Sequence, residues 1–257
     1  MSLVVLTSAC GSPGVTTTTL GLACTWDRPA IAVEADPVGG SSMLAGYFRG
    51  FTAPVQSVVD LLMAHRSGRL AEQLPVSLIP VAGTAAAVLP GPRSHAQAYS
   101  ALELWEPLSL AWKTLGSAST DVLVDAGRLG MESYPQSLLR LADLVVLVTR
   151  SDLPGLAGAR QWAEQAGQVK AAHPETPDWS VLVIGPGNPY NVREIEAVLG
   201  LPVVASLALD SRAAQEFSHG TAGKHSNRLV RDLAGCGQKV RDLITRADQA
   251  LAPEGGA

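Results

Sequence analysis

Three short segments carry the residues of this chain whose types and spacing could do chemistry. They run Ser8-Ala-Cys-Gly-Ser-Pro-Gly-Val-Thr-Thr-Thr-Thr19, Glu34-Ala-Asp-Pro-Val-Gly-Gly-Ser-Ser42 and Asp125-Ala-Gly-Arg128. A loop of the form GxxxxGK[ST] cradles phosphate with backbone N–H groups, reaches the β- and γ-phosphates with its lysine and offers a hydroxyl to Mg²⁺. With Gly11 on the first glycine of that pattern, Thr16 takes the second, Thr17 the lysine and Thr18 the hydroxyl. The frame is kept and its cation is lost. Only four lysines occur, Lys113, Lys170, Lys224 and Lys239, so none lies in any of the three segments.

The elements that must position these loops follow from hydrophobic patterning. Continuous apolar runs at Leu3–Leu6, Ala30–Val33, Val76–Pro80, Val122–Val124, Leu144–Val148, Val181–Ile184 and Val203–Leu207 suit strands covered on both faces. Helical stretches lie between them, at Gly14–Thr25, Pro54–Ser67, Arg93–Leu115, Pro154–Ala172 and Val192–Leu199. This alternation predicts an α/β fold, a doubly wound and mainly parallel sheet with helices on both faces. In such sheets ligands sit beyond the carboxyl ends of the strands, where all three segments fall. The Pro-rich stretch Ser67–Pro92 is the least regular. The chain reads as a single domain over residues 1–251, with a disordered tail at 252–257.

Taken together, the loops resemble those of the ParA/MinD family of deviant-Walker P-loop ATPases, whose first loop usually reads KGGVGKTT. Gly14, Val15, Thr18 and Thr19 agree with that pattern, whereas Ser12 and Thr17 replace its two lysines and Pro13 and Thr16 two of its glycines. Glu34-Ala-Asp36-Pro37 is similar to the family's DxDP motif, Val122–Asp125 to its Walker B strand, and Leu141–Thr149 with Asp152–Arg160 to a later strand and helix. Leu199–Val204 is similar to the last strand, so the likeness spans about residues 2–245. The resemblance implies a nucleotide site at Gly11, Gly14, Val15, Thr16, Thr17, Thr18 and Thr19. It implies a catalytic role for Asp36 if the site is active, and Mg²⁺ held by Thr18, Asp36 and Asp125 if it binds. An Asn that can read the base is expected after the strand Val181–Ile184, where this chain has Gly185-Pro-Gly-Asn188, and Leu207–Asp210 resembles a second base-contacting stretch.

The departures bear on function. A lysine ~4 Å from a phosphate charge at an effective dielectric of ~20 is worth on the order of 4 kcal/mol. At ~1.4 kcal/mol per decade its loss costs about a thousandfold in affinity or rate. Pro13 also deletes a backbone donor, and Thr16 puts a β-branched residue where a glycine relieves strain. The expectation is a positioning or scaffold factor, a pseudo-ATPase that binds ATP and Mg²⁺ weakly or not at all. The alternatives are a slow Mg²⁺-dependent ATPase that borrows an arginine, such as Arg128, and an interaction module independent of nucleotide. Bland roles stand beside the chemical ones: the threonines as a helix cap, Asp36 as the start of an Asp-Pro turn, and Asp125 as a strand-end carboxylate bonded to backbone.

Composition narrows the setting. Hydrophobic residues make up 47% and charged residues 16% of the 257, which excludes a disordered chain. A net charge of −4 gives no overall attraction to DNA or anionic membranes. No stretch reaches a membrane span and no basic leader precedes Leu3, so the expectation is a cytoplasmic protein. Cys10, Cys24 and Cys236 lack metal-ligand spacing, the histidines are scattered, and Trp105 and Trp112 share a helical face that suits a core. The stripe Leu229, Leu233, Cys236, Val240, Leu243, Ala247 and Leu251 suits packing on the sheet or a partner better than a membrane, since it lacks aromatics and its flanks are of mixed charge. The resemblance implies a homodimer. It also suggests a partner in a localisation, secretion or Tad-type pilus machinery.

Overall fold

The computed structural model describes residues 1–54, 56–115, 120–221 and 226–251; the expected tail lies outside them. The apolar runs form β1 (Leu3–Ser8), β2 (Ala30–Glu34), β5 (Asp121–Arg128), β6 (Leu144–Arg150), β7 (Asp178–Ile184) and β8 (Val203–Leu207), joined by the short strands β3 (Ile79–Pro80) and β4 (Ala86–Leu89). Their order is β3-β4-β2-β5-β1-β6-β7-β8, parallel throughout except for the antiparallel edge pair β3–β4. Every residue of β1 is buried, which explains why its sequence is continuous rather than alternating.

One face of the sheet is covered by α2 (Val58–Arg66), α3 (Leu70–Gln73), α4 (His95–Leu115), α5 (Gln136–Leu141), α6 (Leu153–Ala172) and α7 (Val192–Leu199). Trp105 and Trp112 lie deep in that layer, as their helical spacing suggests. The other face is covered by α1 (Val15–Thr25), α8 (Ser211–His219) and α9 (Ser226–Leu251). Leu233, Cys236 and Val240 of the α9 stripe are buried there, with the neighbouring Ile244, so the middle of the apolar stripe is used inside the protein. Among the described residues, no helix is long and apolar enough to cross a membrane.

Asp121 ties the sheet to this second layer at the end away from the three loops. Its buried carboxylate accepts from the Ser2 N–H at 2.8 Å and the Trp26 indole N–H at 2.8 Å, and pairs with Arg28 at 2.6 Å. Arg241 of α9 in turn lies over the Trp26 ring, 5.6 Å from its centroid, and pairs with Asp27.

The irregular stretch differs from expectation. Val76–Pro80 does not form one strand: Pro75–Ser77 is a single 3₁₀ turn, consistent with Pro75 at its start, and only Ile79–Pro80 pairs. The strand that joins β2 is instead Ala86–Leu89, short and bounded by Thr84 and Pro90. The strand expected at Val122–Val124 continues to Arg128, which sets Asp125 inside β5 rather than at its end.

Candidate functional site

β1 lies between β5 and β6. The connection leaving β1 runs through α1 on one face to β2, and the connection leaving β6 runs through α6 on the other face to β7. The two diverge, opening the crevice in which open α/β sheets bind ligands. The loop Ala9–Gly14 fills the mouth of that crevice. Gly14, at φ +103°, is the N-cap of α1, a conformation that only glycine adopts without strain.

No side chain caps α1 and its first turn holds no acid, so its N-terminal N–H groups and dipole face the crevice. The threonine run therefore does not act as a cap. Thr18 and Thr19 are buried within the helix, and the Thr19 hydroxyl has no hydrogen-bond partner. Thr16 also lies in the helix, where a β-branched residue carries no backbone strain, contrary to expectation, because α1 starts at Val15.

The carboxylates gather on the β5 side. Asp125 is fully buried; its Oδ1 accepts from the Gly127 N–H at 3.0 Å and its Oδ2 has no hydrogen-bond partner. Burial holds its carboxyl up at about 7, with further upward push from the charges of Asp36 and Glu34, against a downward pull from the Thr16 hydroxyl and the Gly127 N–H. Asp36 accepts from the Val38 N–H at 2.9 Å, the turn expected of Asp-Pro, and its carboxylate lies against Gly127. A Cβ on Gly127 would meet the Asp36 carboxyl carbon at 2.5 Å, and its φ is +67°. Glycine is therefore required there on both counts.

A cleft of about 500 Å³ collects Gly11, Gly14, Val15, Thr16, Thr17, Asp36, Asp125 and Arg128. Thr18 lines the adjoining pocket of about 250 Å³, with Thr17, Arg150 and the apolar Leu207, Leu209 and Phe217. Thr17 belongs to both. Thr19 borders neither of these two cavities. Thr16, rather than Thr18, is the threonine whose hydroxyl bears on Asp125.

Asn188 does not line the 250 Å³ pocket. Its backbone N–H donates to the Ser151 hydroxyl at 3.2 Å, its backbone carbonyl accepts from that hydroxyl at 3.0 Å, and its side-chain amide donates to the Gly185 carbonyl at 3.4 Å, so it shapes its own loop. Among the described residues no cluster of three or more His, Cys, Asp or Glu could hold a metal, and all three cysteines are free.

Several residues that organise the site escaped the sequence reading. Glu34 is a buried anchor: it accepts from the Ser41 hydroxyl at 2.5 Å, the Met43 N–H at 3.2 Å and the Gly91 N–H at 3.2 Å. Burial raises its carboxyl, while those donors oppose the rise. Behind Gly127, Tyr134 donates to the Thr7 hydroxyl at 2.9 Å, which donates to the Gly127 carbonyl at 3.1 Å. Arg49 donates through Nε to the His219 carbonyl at 2.9 Å and through its guanidinium to Gly220, strapping the loop after β2 to the end of α8. Arg150 depends on β6 lying beside β1, which no local motif announces.

No family model matches the chain. Two curated relatives, both uncharacterized proteins of Mycobacterium tuberculosis, from strains CDC 1551 / Oshkosh and H37Rv, are 28% identical over 232 residues, covering 85% of this chain. The chain spans 57% of the length of those relatives. Among solved structures, the cell division ATPase MinD of Pyrococcus furiosus superposes with a TM-score of 0.72 at 17% identity, covering 95% of this chain and 100% of its own. A ParA family ATPase of Chlorobium tepidum gives 0.71 at 17% identity, covering 92% and 98%. The septum site-determining protein MinD of Pyrococcus horikoshii, complexed with Mg-ADP, gives 0.72 at 17% identity, covering 95% and 97%. The superpositions cover the eight-stranded sheet with its helical layers: the chain has the fold of the MinD and ParA ATPases.

Proposed function

We propose that this chain is a ParA/MinD-like positioning or scaffold factor with an attenuated nucleotide site, one that binds Mg²⁺-nucleotide weakly and does not turn it over efficiently. The observation that carries this reading is a preserved frame around a missing charge. The uncapped start of α1 and the fully buried Asp125, its Oδ2 without a hydrogen-bond partner, line one cleft, while no lysine occurs in any loop that forms it. A buried carboxylate oxygen without a donor suits a divalent cation or a proton. Asp36 and Asp125, with the Thr16 hydroxyl, are the groups that would hold Mg²⁺. Bound Mg²⁺-nucleotide would supply a switchable charge at the loop. The chain's own part is to present the N–H groups of Gly14, Val15, Thr16 and Thr17 to phosphate and to fix Asp36 against Gly127.

Transfer of the γ-phosphoryl group depends on cations that neutralise developing charge. Arg128, a cation of the cleft, lies with its guanidinium 2.9 Å from the Met131 sulfur rather than over the loop. Efficient ATPase activity is therefore not the favoured reading. A homodimer and a protein partner in a localisation, secretion or pilus machinery belong to the same proposal, as does a role inside the cell, away from DNA and membrane.

Titration of the protein with a fluorescent ATP analogue and Mg²⁺, beside Thr17→Lys, tests the reading. The wild-type protein is expected to bind weakly or not at all, and Thr17→Lys to gain up to about a thousandfold, the worth of one lysine near phosphate. Tight wild-type binding that the lysine does not improve overturns it.

A further inference from the structure

We infer that Arg150 supplies the missing cation, and that the ligand is a nucleoside polyphosphate held by its phosphates with its base unread by any side chain. The inference rests on the preceding reading that the cleft takes phosphate. Arg150 ends β6, the strand hydrogen-bonded to β1 on the side opposite β5, and so stands at the switch point beside the glycine loop. It lines the 250 Å³ pocket together with Ser12, Gly14 and Thr17, the last being the position at which the phosphate pattern has its lysine. Its guanidinium makes no hydrogen bond or ion pair among the described residues, in contrast to Arg28, Arg49 and Arg241, which are committed to partners.

The site is more than a helix end. The fully buried Asp125, whose Oδ2 has no hydrogen-bond partner, is among the residues lining the adjoining cleft, and Ser12, Pro13, Gly14 and Thr17 form a wall common to both cavities. An anion on the N–H groups of α1 would thus have Arg150 on one side and, through a divalent cation, Asp125 on the other. A guanidinium is always charged and presents a planar fork suited to phosphate oxygens.

The rest of the pocket gives a base surface but no lettering. Ile184, Leu207, Leu209 and Phe217 offer apolar walls. The Asp210 carboxylate is used in capping α8, accepting from the N–H groups of Arg212 at 3.1 Å and Ala213 at 3.0 Å. The Ser218 hydroxyl donates to the Ala214 carbonyl at 3.0 Å, and the Asn188 side-chain amide donates to the Gly185 carbonyl at 3.4 Å. Purines are discriminated by groups that hydrogen-bond their edges, and here each of these side chains already makes a hydrogen bond within the protein.

The test is calorimetric titration of the whole chain with ATP, GTP and tripolyphosphate, each with Mg²⁺, for the wild-type protein, Arg150→Gln, Arg150→Lys and, as a charge control outside both cavities, Arg140→Gln. Equal melting temperatures establish that the variants fold. Arg150→Gln is expected to weaken ATP at least tenfold, Arg150→Lys to recover part of that loss, and Arg140→Gln to lose less than threefold, with ATP and GTP within threefold of each other. Arg150→Gln within threefold of wild type, or a tenfold preference for either purine, overturns the inference while leaving a weak nucleotide site in place. Absence of binding by all three probes to the wild-type protein also overturns it, and leaves the nucleotide-independent scaffold. Rapid release of phosphate from ATP in the same samples would instead remove the reading on which the inference rests.

Discussion

Asp125→Asn is the substitution whose effect follows most directly from the geometry. Asp125 is fully buried, and desolvation holds its carboxyl at about 7 instead of 3.8. Folding therefore raises this pKa, so between 3.8 and 7 the folded protein binds a proton that the unfolded chain has released. Stability must fall as pH rises across that window, by about 1.4 kcal/mol per unit. The full cost once both states are ionised is on the order of 4 kcal/mol, and about 2.3 kcal/mol of it falls between pH 5 and pH 7. Asn keeps the oxygen that accepts from the Gly127 N–H and puts a neutral amide where Oδ2 has no donor. Urea denaturation at pH 5 and pH 8, with and without the substitution, isolates the term together with its coupling to Asp36 and Glu34, because the remaining groups titrate alike. The variant should be more stable than the wild type by about 4 kcal/mol at pH 8 and by less than about 2 kcal/mol at pH 5, the gap widening by about 2.6 kcal/mol between the two. Mg²⁺ should stabilise the wild-type protein at pH 8 more than the variant. A difference between the two proteins that does not change with pH would refute the argument that burial of charge governs this residue.

Other expectations rest on separate contacts. Asp121→Ala strands the Trp26 indole and the Ser2 N–H and unpairs Arg28, so it should lower stability by about 2–4 kcal/mol in thermal or chemical denaturation. Gly127→Ala places a Cβ on the Asp36 carboxylate at a positive φ, and should cost about 1–3 kcal/mol while weakening any Mg²⁺-dependent binding. Arg49→Ala cuts the strap to α8 without touching the cleft lining, and amide exchange over residues 43–50 should quicken while the α4 amides stay unchanged.

Much of the architecture was legible because its central strands are buried on both sides and bracketed by long helices, so that Leu3–Leu6 and Leu144–Val148 could be read without knowing their neighbours. Ala86–Leu89 was not legible: it is four residues long, carries two alanines and sits in a proline-rich stretch, and only its pairing with β2 makes it a strand. The α8 helix left a readable sign, Asp210 as its cap and Gly220 at its end, that hydrophobic runs alone do not reveal. At the site, the loop frame and Asp125 were found by spacing. The anchoring of Glu34 by Ser41 and Gly91, the Tyr134–Thr7–Gly127 chain and the position of Arg150 depend on contacts across 57, 127 and more residues of sequence or on strand order, which no local pattern encodes. The supposed strain at Thr16 fails for a similar reason, since it assumed that the loop keeps its usual length up to that residue, whereas α1 has already begun.

The chain keeps the nucleotide frame without the loop lysines, and we propose that it does not sustain turnover. Multiple-turnover phosphate release by the purified chain at millimolar MgATP, measured against Asp36→Ala, addresses it most directly. The two proteins should release phosphate at the same background rate; robust release by the wild-type chain that Asp36→Ala abolishes would contradict it.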